Sequence, residues 1–276
     1  FTGILEMPRF LSDFGDLQPD GTYQLSSKYT SVFASIVQAG EFVGSLCASL
    51  LGDYLGRKGA LRAAVIIVTI GCILQLIIVG SVSLLIVGRL ILGIGVGIIS
   101  NCVPMYLSEI PPAAIRGSVV STWQLTLAVG QVIGAVIAQG TKDYESTFSW
   151  RFPIAFNVLI TLLLFVGSFF VIESPRWLTQ KGKDDKAFRA LERLHKKNDD
   201  LDAETELSIL IEARNAEKNN EGNQSKWSDL IKIPADRRRF ICAFGILCCQ
   251  QISGVQFIFS YATRFFVDIG QTNAFL

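Results

Sequence analysis

Apolar residues run along this chain in blocks of roughly 20, the length a helix needs to cross the hydrocarbon core of a bilayer with its backbone groups bonded internally. Six windows meet that requirement, at about 30–51, 62–80, 83–103, 118–139, 152–172 and 240–262. Between the fifth and the sixth lies a stretch of a different kind, Glu173 to Arg239. There Ala187, Phe188, Leu191 and Leu194 recur at helical spacing, and Leu207, Leu210 and Ile211 repeat the pattern after Asp202, a candidate cap. A third short piece is expected at 227–231, beyond an Asn/Gly-rich break at 219–223. The pattern predicts an all-α, polytopic helical membrane protein of six complete spans, preceded at residues 1–5 by the stub of another. Three parts follow: an N-terminal transmembrane bundle (1–172), a cytoplasmic helical linker (173–239) and the first helix of a second bundle (240–276).

Charge placement gives the direction. The segment Glu173 to Arg239 holds 15 basic and 14 acidic residues, which leaves 20 charges for the other 209 residues, too few for a water-exposed surface. In the short loops, Arg57, Lys58 and Arg62 follow the first window, whereas no Lys or Arg follows the second. Arg116, Arg176, Lys181 and Arg237, Arg238 and Arg239 fall on the same side as the first group, which the positive-inside rule makes cytoplasmic. Residues 6–29 are then extracellular. A net charge of +1 excludes a nucleic-acid-binding class, and membrane lipid is the expected surrounding.

Enzyme chemistry finds no support. The six cysteines lie in apolar runs without zinc spacing and read as small buried hydrophobes. The single histidine, His195, sits beside Lys196 and Lys197 and reads as solvated, and there is no nucleotide loop and no nucleophile with a base partner. No cofactor or metal is expected. What needs explaining is polarity inside the spans, where charges are costly. Gln124 and Gln131 share a helix face; Gln250, Gln251 and Gln256 crowd one window around Ser253 and Gly254; Glu41 and Arg89 are charges in apolar windows. Amides donate and accept, which suits a neutral ligand covered with hydroxyls, but they serve equally as interhelical glue. Ser253-Gly254 weakens the helix in mid-window and marks either a helix break beside a cavity or a close packing contact. At the inner ends of the helices, acid and base repeat: Asp53, Gly56, Arg57 and Lys58, then Glu109 with Arg116, then Glu173 with Arg176. These read as a gate that parts and closes, or as interfacial anchors.

At these residues the chain closely resembles the sugar porters of the major facilitator superfamily, especially fungal ones. The matching motifs are Asp53-Tyr-Leu-Gly56-Arg57-Lys58; Gly88-Arg89 with Gly93, Gly95 and Gly97; Val103-Pro104-Met-Tyr106-Leu-Ser-Glu109-Ile-Pro-Pro-Ala-Ala-Ile-Arg116-Gly117; Gln124-Leu125; Trp150-Arg151; Glu173-Ser174-Pro175-Arg176-Trp177; and Gln250-Gln251-Ile-Ser253-Gly254. Seven motifs in order over nearly the whole chain make the resemblance specific.

The resemblance implies a partial major facilitator fold and an alternating-access carrier of a monosaccharide such as a hexose, by proton symport, in the plasma membrane. A transporter-like sugar sensor, or a facilitative carrier of a polyol, quinate or disaccharide, is the other reading. By the same resemblance Gln124, Gln250 and Gln251 match positions that hydrogen-bond sugar hydroxyls, and Gln256 stands in place of a common asparagine. Arg89 matches an arginine that responds to an acid in the family's first helix, and Glu41 is a second proton-coupling candidate. Asp53, Arg57, Glu109, Arg116, Glu173 and Arg176 match the inner salt-bridge network. Ser49 and Ile172 depart from the family's usual Gly and Pro. The family has twelve spans in two moving halves, so this chain is expected to be a fragment, inactive alone.

Overall fold

A computed structural model of the chain describes residues 2–5, 7–17, 23–77, 81–111, 115–142, 144, 146–195, 203–220, 233–254 and 258. Two short helices, α1 (Thr2–Leu5) and α2 (Pro8–Phe14), lead into a small antiparallel hairpin of β1 (Asp16–Leu17) and β2 (Tyr23–Gln24), with Asp16 opposite Gln24. Four long helices follow: α3 (Ser27–Ile77), α4 (Val82–Glu109), α5 (Arg116–Thr141) and α6 (Phe148–Gly167). The polar stretch forms α7 (Pro175–Gln180), α8 (Asp184–His195) and α9 (Ala203–Asn220), and α10 (Pro234–Ile252) comes last. The piece expected at 227–231, the candidate cap Asp202 and the side chain of His195 lie outside what the structure describes.

The expected count of spans needs correction. Four helices among the described residues, α3 to α6, are long and apolar enough to cross a membrane, not six. The windows at 30–51 and 62–80, the latter described as far as Ile77, form two limbs that join across a kink into one long helix, α3 (Ser27–Ile77). Only Gly56 leaves helical space there, at φ 80° and ψ 173°, and puts a kink in the helix. The window at 240–262 is described only through Gly254 and at 258; there α10 opens on Arg237, Arg238 and Arg239 and ends at Ile252, and it is not among the four.

The tightest packing is between α3 and α4, and glycine makes it possible. A Cβ built on Gly40 or Gly44 of α3 would strike the carbonyl oxygens of Leu90 or Ile94, and one on Gly93 or Gly97 of α4 would strike those of Val37 or Glu41. The two backbones therefore touch along two successive turns. Van der Waals contact replaces the hydrophobic effect, which offers no drive between helices in lipid. Lower along the same pair, Ala48, Ala60, Ala64, Ile98 and Cys102 form a buried cluster of small side chains.

At the opposite end the core is aromatic. Met7, Phe10, Phe33 and Leu85 are fully buried around Trp150, whose ring meets Phe10 at 6.0 Å and Phe14 at 5.6 Å, both edge-on. In the linker, Trp177, Leu178, Ala187 and Ala190 hold α7 against α8. The six cysteines are all free, but burial is not their common property: Cys72 and Cys102 are buried, whereas Cys242 and Cys249 are exposed on α10.

Candidate functional site

One set of ends of the long helices meets at two carboxylates, Glu173 and Glu109, and one guanidinium, Arg57. Gly56 starts the arrangement. Its backbone, in a region open essentially to glycine alone, turns the amides of Arg57 and Lys58 toward Glu173. Glu173 Oε1 accepts from the Arg57 amide at 2.9 Å, the Lys58 amide at 3.2 Å and the Ser174 amide at 3.1 Å. The carboxylate thus caps the second limb of α3, where the free amides and the helix dipole both favour an anion. A Cβ on Gly56 would lie 2.6 Å from Glu173 Oε2 and 3.2 Å from the Trp177 ring, so the glycine is needed for space as well as for conformation.

The Arg57 side chain turns the other way, to α4. Its Nε donates to Glu109 Oε2 at 3.0 Å and its Nη2 to Glu109 Oε1 at 2.8 Å, a two-pronged pair in which both side chains are under a tenth exposed. Nη1 donates to the Gly52 carbonyl at 3.0 Å and lies 3.7 Å from Asp53, which is mostly exposed. Planar, multi-donor geometry of this kind is what arginine supplies and lysine does not.

Further bonds fasten the α6–α7 connection to the same place. Lys58 Nζ donates to the carbonyls of Phe169 at 3.0 Å and Val171 at 2.8 Å, just past the end of α6. Tyr106 Oη donates to the Ile172 carbonyl at 2.6 Å, and the Trp177 indole to the Asp53 carbonyl at 3.1 Å. Arg62 donates to Ser168 Oγ at 3.2 Å and lies over the Phe169 ring at 4.3 Å. Arg116 and Arg176 are exposed and make no ion pair with any described residue.

The other expected site residues lie on α3, α4, α5 and α10. Gln124 on α5 and Gln250 and Gln251 on α10 are all exposed, and Gln256 lies outside the described residues. Two cavities among the described residues are lined by the end of α4, the start of α5 and helices α7 to α9, not by these amides. Arg89 is buried in α4 and Glu41 half-buried in α3, its backbone against Gly97. Ser253 follows the end of α10, its hydroxyl donating to the Gln250 carbonyl at 2.6 Å, and Gly254 takes φ +73°, a left-handed conformation that stops a helix.

Two features carried no reading from the sequence. Asp13 accepts from the Trp150 indole at 3.0 Å and pairs with Arg9 at 3.3 Å, fastening α2 to α6. Arg214 on α9 donates to the Thr179 carbonyl and to Asp184, each at 2.9 Å, joining three linker helices. Trp150 stands in a motif that could have drawn attention to the first. No local signal marks Arg214, because its partners come from two other helices.

Comparison with known proteins bears on this geometry. A family model described as sugar (and other) transporter matches residues 1–276. The low-affinity glucose transporter HXT4 of Saccharomyces cerevisiae is 34% identical over 99% of this chain and 48% of its own length. The high-affinity hexose transporter HXT6 of the same yeast is 34% identical over the same shares. The MFS-type transporter criB of Aspergillus cristatus is 35% identical over 86% of this chain and 51% of its own length. The chain therefore spans about half the length of the relatives it matches. Among solved structures, the proton:xylose symporter XylE bound to 6-bromo-6-deoxy-D-glucose superposes with a TM-score of 0.76 at 21% identity, over 98% of this chain and 59% of that one. A partially occluded inward-open conformation of XylE from E. coli gives 0.68 at 21% identity, over 99% and 64%.

Proposed function

The chain belongs to the family of sugar (and other) transporters, and from that membership we propose that it forms part of a plasma-membrane carrier that moves a monosaccharide, of the hexose class, together with a proton by alternating access. The observation that carries the reading is the inner cluster. A two-pronged Arg57–Glu109 pair and a carboxylate held on three amides tie α3, α4 and the α6–α7 connection into one unit on the cytoplasmic side. Such a cluster makes one bundle move as a body. On this reading Arg116 and Arg176, both exposed, pair with acids of a second bundle when the inner side closes. In this reading residues 1–172 form the first bundle, 173–239 the linker, and 240–276 open the second.

Gln124, Gln250, Gln251 and Gln256 are the proposed sugar-binding amides. Gln124 belongs to one bundle and the other three to the next, so a sugar gripped by both is held more tightly in a closed form than in either open one. That differential affinity is what drives a population shift; equal affinity for all states would drive nothing. Arg89 and Glu41 are the proposed proton-handling charges.

The test uses the full-length protein in proteoliposomes. Labelled hexose uptake driven by an inward proton gradient, abolished by an uncoupler, is the expected result. Gln250→Ala with Gln251→Ala is expected to raise KM by about tenfold or more, the loss of one or two hydrogen bonds. Saturable hexose binding without flux would instead identify a sensor. For Glu41→Gln, uptake is expected to lose its proton dependence, and unchanged dependence removes Glu41 from the mechanism.

A further inference from the structure

The end of α4, the start of α5, α7 and α9 line a cavity of about 270 Å³, on the side that the loop charges make cytoplasmic. Three arginines line it from three helices: Arg116 at the start of α5, Arg176 on α7 and Arg214 on α9. They are not equivalent. Arg214 is held by Asp184 and the Thr179 carbonyl, each at 2.9 Å. Glu109, which also lines the cavity, is committed in both oxygens to Arg57. Arg116 and Arg176 make no ion pair with a described residue. Arg116 in addition sits in the first turn of a 26-residue helix that has no acidic residue there, where the dipole disfavours a cation. Two un-neutralised guanidiniums facing one cavity make an anion site, and their planar forks match phosphate oxygens in pairs.

The rest of the wall narrows the ligand. The side-chain amide of Gln180 on α7 donates to and accepts from hydroxyls, and Leu191 and Leu210 supply apolar surface. The charged end of a ligand then belongs at the Arg116–Arg176 wall and its hydroxyls at Gln180. The volume lies just below the usual lower bound of about 300 Å³ for small-molecule pockets, which favours a small ligand over a nucleotide. We propose that this cavity binds a small phosphorylated sugar or polyol, a phosphate monoester with free hydroxyls, from the cytoplasm. Binding rests on the cavity alone. Its consequence rests on the transport reading: an occupied cavity withdraws two gate arginines, holds the inner side open and slows the return step.

Calorimetric titration of purified full-length protein, free of anionic lipid, tests the proposal with glucose 6-phosphate, inorganic phosphate and glucose. The expected result is saturable binding of glucose 6-phosphate, weaker binding of inorganic phosphate, and a loss of about tenfold or more for glucose 6-phosphate in Gln180→Glu and in Arg176→Gln. Both substitutions fall at exposed positions, and elution as a single species in gel filtration confirms that each variant is folded. Absence of saturable glucose 6-phosphate binding, or equal binding in wild type and both variants, overturns the proposal. So does binding seen only with nanodiscs containing a phosphoinositide, which assigns the arginines to a lipid headgroup. Glucose binding that survives while glucose 6-phosphate binding fails sinks this site and leaves the transport reading standing.

Discussion

Gly56 shows how much one residue can decide. Its φ of 80° and ψ of 173° belong to a region that costs a residue with a side chain about 1–3 kcal/mol, and a methyl group there would press on the Glu173 carboxylate. Gly56→Ala is therefore expected to lower stability by at least that amount and to unseat Glu173 from the Arg57 and Lys58 amides. Thermal unfolding of the full-length protein measures the first effect, and Glu173→Gln, which weakens the same bonds without backbone strain, should produce a smaller loss. At this scale the sequence was legible in part. Arg57, Glu109 and Glu173 stood out as charges at helix ends, but that Glu173 would serve backbone amides and Glu109 a guanidinium depends on positions 116 and 52 residues apart in the chain.

Among the elements, α3 and α4 owe their contact to small residues facing each other. Gly97 lies against the backbone of Glu41, with no room for a Cβ. Gly97→Leu is expected to force the helices apart, with an overpacking cost of about 1–3 kcal/mol or more, read as loss of monodisperse protein in detergent. Gly117, Gly130 and Gly134 of α5 meet nothing within 4 Å in this structure, so glycine count alone does not announce a seam. Periodicity served well for the linker, where α8 covers the Ala187–Leu194 pattern and buries Ala187 and Leu191. It misled on the spans, because a hydropathy window cannot tell whether two apolar limbs end apart or run on across a bend; at Gly56 they run on across a kink into one long helix.

For the whole molecule, the Arg57–Glu109 pair is the part to break. Both side chains are nearly buried, so Glu109→Gln leaves an uncompensated charge and is expected to cost about 3–5 kcal/mol. Replacing both, Arg57→Met with Glu109→Leu, should restore most of that stability, since a packed apolar pair is often as stable as a buried ion pair. Transport separates the two variants from a purely structural role. If the pair belongs to the moving gate, the double variant regains its unfolding temperature but not its hexose uptake; recovery of both would make the pair a structural fastener only.

The long apolar helices and the helical character of residues 175–195 and 203–220 were readable from the chain alone, because each rests on local quantities: the length of an apolar run and its period. Cysteine burial was not, since it depends on which faces of a helix find a neighbour. Nor was the joining of two apolar windows into the kinked α3, or the choice of partners for Arg57, Glu173 and Arg214. Those are long-range matters, decided when glycine seams bring two backbones together and thereby set which carboxylate meets which donor.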